Sequence, residues 1–207
     1  GLRPVILDMD ILAAANALNL TTDLSTMGTV ALVELGDPTT QIGVLNNGVI
    51  SFAQETQIQG VCNSSWLTTQ FRSPFERITK IKQGRAPKNL DEEPPIWEGM
   101  EWEKFLVDDR KKKLSLKTIV EEMTEVFKLF TRNINEPIER IFIYGVGTLV
   151  SGVDSLLAEY FKIPVEIINP FRFIKTNPKH FDLETLSNFG SLATVPIGLA
   201  TRRFDYK

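Results

Sequence analysis

Three short β-strands joined by two tight turns constrain the fold of this chain more than any other feature. The strands are predicted at residues 30–35, 41–45 and 49–53, which are rich in Val, Ile and Leu. Gly36 and Pro38 break the chain between the first two strands, and Asn47-Gly48 tolerates the positive φ angles of a hairpin turn. The sequence therefore predicts an antiparallel meander.

Helices and further strands are predicted on both sides of the meander. The strongest is a helix at 116–132, followed by a strand at 140–144, a glycine-rich turn, a helix at 153–161 and a strand at 165–168. The long helix carries one apolar stripe made of Leu116, Ile119, Val120, Met123, Phe127 and Phe130. A mixed sheet flanked by helices belongs to the α/β class.

Two predicted helices are rich in small residues. One spans residues 11–20 with Asp10 placed to cap it, and the other closes the chain at 191–203 with Pro196 near its start or at a kink. The alanines of the first helix allow close approach to another backbone, although they also simply favour helix formation.

Composition excludes several classes of protein. The chain has 207 residues, of which 43% are hydrophobic, so it can bury a core, and its net charge of -3 does not suggest a nucleic-acid binder. Its single cysteine, Cys62, excludes a disulfide scaffold, and its single histidine, His180, excludes a His-rich metal site. No apolar stretch reaches the ~20 residues that span a membrane. Early acidic residues argue against a signal peptide, and because residue 1 is Gly, we expect a fragment of a longer protein.

Residues 61–113 differ in character from their surroundings. They contain all three tryptophans, several prolines, an acidic run at 91–93 and a basic cluster at 110–113. We predict a smaller inserted subdomain here, with a helix near 74–83, and a core subdomain made of residues 1–60 and 114–207.

The first candidate for chemistry is the turn after the first strand, where Glu34 is followed by Gly36, Thr39 and Thr40. Backbone N–H groups of such a turn can face phosphates, and the acid can hold Mg²⁺ through water. A plain β-hairpin accounts for the same residues.

The second candidate is Gly145-Val146-Gly147-Thr148, between a predicted strand and a predicted helix. A glycine-rich turn in that position lets the backbone approach a ligand. The glycine spacing is not that of the Rossmann fingerprint.

Both motifs together resemble the second half of the actin-like ATPase fold, and nearly the whole chain takes part in the resemblance. Within that superfamily the chain resembles the PilM-type family of type IV pilus assembly, which is related to FtsA. Residues 156–171 are similar to the family's pattern of a helix, "IPVE", a strand and "NPF". Residues 189–200 and 8–18 resemble the fold's two connector helices.

The resemblance implies an ATP and magnesium site. Glu34, Gly36, Thr39 and Thr40 would form a phosphate motif with Glu34 at the metal, and residues 145–148 would form the adenosine motif. Glu76 and Lys80 would lie on the ribose helix. Three departures imply a weakened site: Glu34 replaces the family's Asp, Val146 replaces its middle glycine, and the position of its ribose lysine is Thr79.

The function implied is that of a cytoplasmic scaffold of the inner-membrane pilus platform. It would reach the membrane through partners, with a PilN-like cytoplasmic peptide bound mainly by a first lobe that this chain lacks, and it could form a homo-oligomer. The alternatives are an active actin-like ATPase, FtsA-like and polymerising or related to sugar kinases, and an α/β interaction domain without a nucleotide cleft.

Overall fold

The computed structural model describes residues 7–36, 39–56, 109–134, 136–150, 152–177 and 190–202, together with positions 183, 186 and 187. For residues 109–115 only the helical backbone is described. Most of the predicted insertion, including Glu76, Thr79 and Lys80, lies outside these ranges, and so do Cys62 and His180.

Five strands form one mixed sheet in the order β3-β2-β1-β4-β5. Their bounds are β1 (Thr29–Leu35), β2 (Thr40–Asn46), β3 (Val49–Thr56), β4 (Arg140–Tyr144) and β5 (Val165–Ile167). Strands β1, β2 and β3 pair antiparallel, whereas β4 runs parallel to both β1 and β5. The meander is therefore confirmed, and its second turn has positive φ at Asn47 and Gly48 as the sequence predicts.

Helices cover both faces of the sheet. Their bounds are α1 (Asp10–Asn19), α2 (Asp109–Ile134), α3 (Val153–Phe161) and α4 (Thr194–Ala200). Buried residues of α2 and α3 form one core with the sheet. Residues of α1 form a second core on the other face, where α4 packs along α1. The α/β class is confirmed.

The apolar stripe of α2 is buried throughout its length, and Ile119 and Met123 are completely inaccessible. The helix begins at Asp109, before the predicted start at residue 116, so the backbone of the basic cluster lies in its first turns. The predicted division into a core and an inserted subdomain remains a prediction.

The small residues of α1 and α4 allow the two helices to approach unusually closely. Ala13, Ala14 and Ala17 are completely buried, and a Cβ added to Gly198 would overlap the backbone of Ala13. Of the two interpretations of the alanines, the fold therefore shows the close approach to another backbone.

Two helix boundaries were predicted wrongly. Asp10 does not cap α1, because the N-cap is Met9 and Asp10 is the first helical residue, where its charge complements the helix dipole. The closing segment is not one helix, since a 3₁₀ turn at Gly190–Ala193 precedes α4. Pro196 lies in the first turn of α4, where its missing N–H breaks no helical hydrogen bond.

Candidate functional site

The two motifs singled out in the sequence meet at one edge of the sheet. Strands β1 and β4 are parallel neighbours, and Glu34 is paired in register with Tyr144. The carboxyl ends of the two strands therefore lie side by side at the same edge of the sheet. Gly145 follows β4 directly with φ of +90°, and a Cβ added there would lie 3.1 Å from the Leu35 carbonyl oxygen. Only glycine fits this approach, which brings the second motif against the first.

Glu34 is a partly buried carboxylate at this edge. Burial raises its pKa to about 7, and the negative charges of Asp10 and Glu55 contribute in the same direction. Near neutral pH the side chain is thus divided between its neutral and ionised forms.

Tyr144 is the neighbour of Glu34 on the same face of the sheet. It is 1% exposed, and its hydroxyl finds no hydrogen-bond partner among the described residues. Burial raises the pKa of this phenol well above its usual value, and the charges of Glu34 and Asp10 add to the effect. The phenol remains protonated and can donate a hydrogen bond.

A cleft of about 320 Å³ lies between the start of α1 and strands β2 and β3. Its acidic lining comes from Asp8, Asp10 and Glu55. Asp8 is paired with Arg202 beyond the end of α4, at 2.7 Å. Within the described part of the chain, no group of three or more Asp, Glu, His or Cys side chains is arranged to hold a metal ion.

The glycine turn is a 3₁₀ turn, Val146–Leu149, tied to the closing segment of the chain. The Thr148 hydroxyl donates to the Gly145 carbonyl oxygen at 2.8 Å and lies 2.6 Å from the Ser191 hydroxyl. The Gly145 N–H also donates to the Ser191 carbonyl oxygen at 3.4 Å. The Thr148 hydroxyl is buried in these contacts, so its place is inside the turn rather than in an open cleft.

Sequence reasoning missed Ser191 and Asn169. The Asn169 amide donates to the Ser187 carbonyl oxygen at 2.9 Å and accepts from the Phe171 N–H at 3.0 Å. A Cβ added to Gly190 would overlap the Asn169 amide. The "NPF" pattern was the available signal, because Asn before Pro often bonds the backbone two residues on.

The other predicted ligands lie in different surroundings. Gly36 and Thr39 are half-buried at the turn, and a Cβ on Gly36 would overlap the Thr39 carbonyl oxygen. Thr40 is completely buried, and its hydroxyl finds no partner in the described part of the chain. Val146 is half-buried and Gly147 is buried. The residues brought together at the edge are thus Glu34, Gly36, Thr39 and the 145–148 turn.

The fold is that of the actin-like proteins. A chain of a solved structure, "PilM-PilN type IV pilus biogenesis complex", aligns over 97% of this chain and 53% of its own length, with a TM-score of 0.65 and 20% identity. MreB5 of Spiroplasma citri bound to ADP aligns over 97% of this chain and 60% of its own, with a TM-score of 0.52 and 15% identity. This chain thus spans about half the length of the PilM chain. The actin-like fold is confirmed.

The carboxy-terminal part of the chain indicates which family within the actin-like fold this chain resembles. Residues 115–204 match the family model described as type IV pilus assembly protein PilM. A search of curated proteins finds no match. The resemblance to PilM-type proteins is therefore confirmed. No helix in the described ranges is long and apolar enough to cross a membrane.

Proposed function

We propose that this chain is the second lobe of a PilM-like scaffold protein that helps to assemble the inner-membrane platform of a type IV pilus. The observation that carries the proposal is the meeting of the Glu34 turn and the Gly145 turn at one sheet edge, in a chain whose residues 115–204 match PilM. A nucleotide at that edge would be a structural ligand between two lobes.

The residues fit such a nucleotide in part. Gly145 presents bare backbone, and Thr39 and Gly36 are accessible at the neighbouring turn. Bound ATP would supply negative charge and contacts that hold two lobes together. Glu34 would approach magnesium through water, but a carboxyl with a pKa of about 7 is a poorer partner for a cation than an ordinary glutamate.

Three features support a weakened nucleotide site. Glu34 is one methylene longer than the aspartate that the family pattern expects. The branched side chain of Val146 lies where that pattern has glycine. The Thr40 and Thr148 hydroxyls are both buried.

The partner we propose is a PilN-like cytoplasmic peptide, held mainly by the lobe outside this chain. The structural neighbour solved as a PilM-PilN complex supports it, with 53% of its chain aligned here. Through that partner the protein would work at the cytoplasmic side of the inner membrane.

Thermal unfolding of the full-length natural protein with MgATP tests the nucleotide site. A ligand at 100 times its Kd stabilises the folded state by about 2.7 kcal/mol. We expect a small shift at 5 mM MgATP, and a larger one in the double variant E34D/V146G, which restores the family's residues. Val49→Gly, an exposed valine on β3, is the matched control. No shift in either protein would remove the nucleotide from the proposal.

The scaffold role has its own test. A synthetic peptide with the amino-terminal sequence of a PilN-like protein from the same organism should bind the full-length protein in isothermal titration calorimetry. Absence of binding with and without MgATP would refute the scaffold role, whatever the outcome for the nucleotide.

A working ATPase is the second candidate function. Its support is the presence of two carboxylates, Glu34 and Asp10, whose charges interact at the sheet edge. Phosphate release by the full-length protein, abolished in Glu34→Gln, together with nucleotide-dependent sedimentation of polymers, would favour it over the scaffold. Turnover that is insensitive to Glu34→Gln would count against it.

A further inference from the structure

A groove of about 450 Å³ runs between the carboxy-terminal half of α2 and the end of α3. These helices cover the face of the sheet opposite α1 and α4, so the groove is separate from the acidic cleft. Nothing in the nucleotide proposal uses it.

Aromatic rings form the apolar part of this groove. The rings of Phe127 and Phe161 lie 5.2 Å apart, and Tyr160 meets Phe161 edge-on at 5.0 Å. Phe127 is buried, whereas Tyr160 is 56% exposed. Exposed aromatic rings beside a concave apolar surface are typical of the residues that dominate binding at protein interfaces.

Two threonines complete the apolar lining. The Thr124 hydroxyl donates to the Val120 carbonyl oxygen at 2.7 Å, and the Thr131 hydroxyl donates to the Phe127 carbonyl oxygen at 2.8 Å. Because both hydroxyls already donate hydrogen bonds within their own helix, the threonines offer a ligand mainly their methyl groups.

The charged residues that line the groove are both cations. Among the residues that the structure describes, Lys128 and Arg132 line it and no carboxylate does. Glu125 pairs with Lys128 at 2.9 Å and also feels the charge of Arg132, and all three residues line a neighbouring cavity of about 210 Å³. The two cations and the one carboxylate beside them leave a net positive edge next to the aromatic rings, and the Arg132 guanidinium can pair with a further carboxylate.

We propose that this groove binds a segment of another protein in which an aromatic or leucine side chain lies next to Asp or Glu residues. The apolar side chain would pack on Tyr160 and Phe161, and a carboxylate would pair with Arg132. Charge complementarity selects this occupant.

Two other occupants are separate outcomes of the test. A nucleic acid would be held through its phosphates, and the groove offers two cations for them, one of which is already paired. A second copy of this chain offers two exposed leucines beside acidic residues, Leu7 next to Asp8, which already pairs with Arg202, and Leu183 between Asp182 and Glu184, so self-association is measured below.

Peptide display against the full chain tests the proposal. We expect selection of peptides with an aromatic or leucine residue beside acidic residues, and an enriched peptide labelled with fluorescein gives the affinity by anisotropy. Tyr160→Ala and Arg132→Glu should each weaken that peptide's binding by about tenfold or more. A repeated selection against Arg132→Glu should favour basic residues in place of acidic ones.

Phe173→Ala and Arg172→Glu are the matched controls, because they remove an exposed ring and a cation elsewhere on the surface. Both should leave peptide affinity unchanged. Thermal unfolding of all four variants checks that each is folded.

Three results would overturn the proposal. The first is selection without an acidic-aromatic pattern, or peptide binding that Tyr160→Ala and Arg132→Glu leave intact. The second is binding of a fluorescein-labelled 20-nucleotide single strand that depends on the same residues and displaces the peptide. The third is self-association in sedimentation equilibrium that Tyr160→Ala abolishes, which would assign the groove to a second copy.

Discussion

The ionisation of Glu34 should make the stability of this protein depend on pH in a defined direction. Its pKa is raised from 4.5 to about 7, with burial as the largest cause. A carboxyl with a raised pKa in the folded state favours folding while it is protonated, and this contribution is lost as the pH rises through the folded-state pKa. The loss therefore accumulates between pH 4.5 and about 7 and is complete above that window.

The magnitude follows from the same interval. In full, a change from 4.5 to about 7 corresponds to about 3 kcal/mol. Because Glu34 is only partly buried, solvent screening reduces the effect, and we expect about 1–2 kcal/mol. Glu34→Gln keeps the shape of the protonated side chain and removes its ionisation.

Urea unfolding at pH 4 and pH 8.5 measures the effect. Glu34→Gln should match the wild-type protein at pH 4 and be more stable by about 1–2 kcal/mol at pH 8.5. Glu121→Gln, on the exposed surface of α2, is the control for the loss of one negative charge and should not change its difference from wild type by more than ~0.5 kcal/mol. An advantage of Glu34→Gln that is equal at both pH values would refute the reasoning.

Substitutions at three further positions test the packing around the site by urea unfolding, two of them with a comparison variant. Gly145→Ala should destabilise the folded protein by about 2–3 kcal/mol, because the positive φ of this residue and its approach to Leu35 both exclude a side chain. Gly152→Ala, at a residue with positive φ but open space around it, should cost about 1 kcal/mol. Equal losses in the two variants would contradict the close approach of Gly145 to Leu35. Gly198→Ala should destabilise by about 1–3 kcal/mol by separating α1 from α4, and a neutral result would show that the helices shift freely. Asn169→Ala should destabilise by about 1–2 kcal/mol through its lost hydrogen bonds, and Asn169→Asp, which keeps only the acceptor, should fall between.

Local patterns in the sequence predicted most of the fold. Runs rich in Val, Ile and Leu and the Asn47-Gly48 turn identify the meander, because both signals depend on neighbours in the chain. The stripe on α2 is likewise a local periodicity. The boundary errors at Asp10 and Ser191 arose because helix ends are decided by backbone hydrogen bonds that residue types only bias.

Only those residues of the candidate site that belong to a recognisable sequence motif could be predicted. Glu34 and the 145–148 turn stand out because glycines and an acid follow strands. The contact between Thr148 and Ser191 joins residues 43 positions apart, and no local pattern reports it. The raised pKa of Glu34 was equally hidden, since it depends on burial and on charges from α1 and β3.

The contacts of Ser191 connect this edge of the sheet to helices α1 and α4. Ser191 accepts a hydrogen bond from the Gly145 N–H, and its carbonyl oxygen also receives the Thr194 hydroxyl at the start of α4. Helix α4 packs without a gap on α1, and α1 begins at Asp10, whose charge acts on Glu34. Because a Cβ on Gly198 would overlap the backbone of Ala13, the two helices touch at their backbones at this crossing, and substitutions at Gly198 and at Gly145 test the two ends of the same chain of contacts.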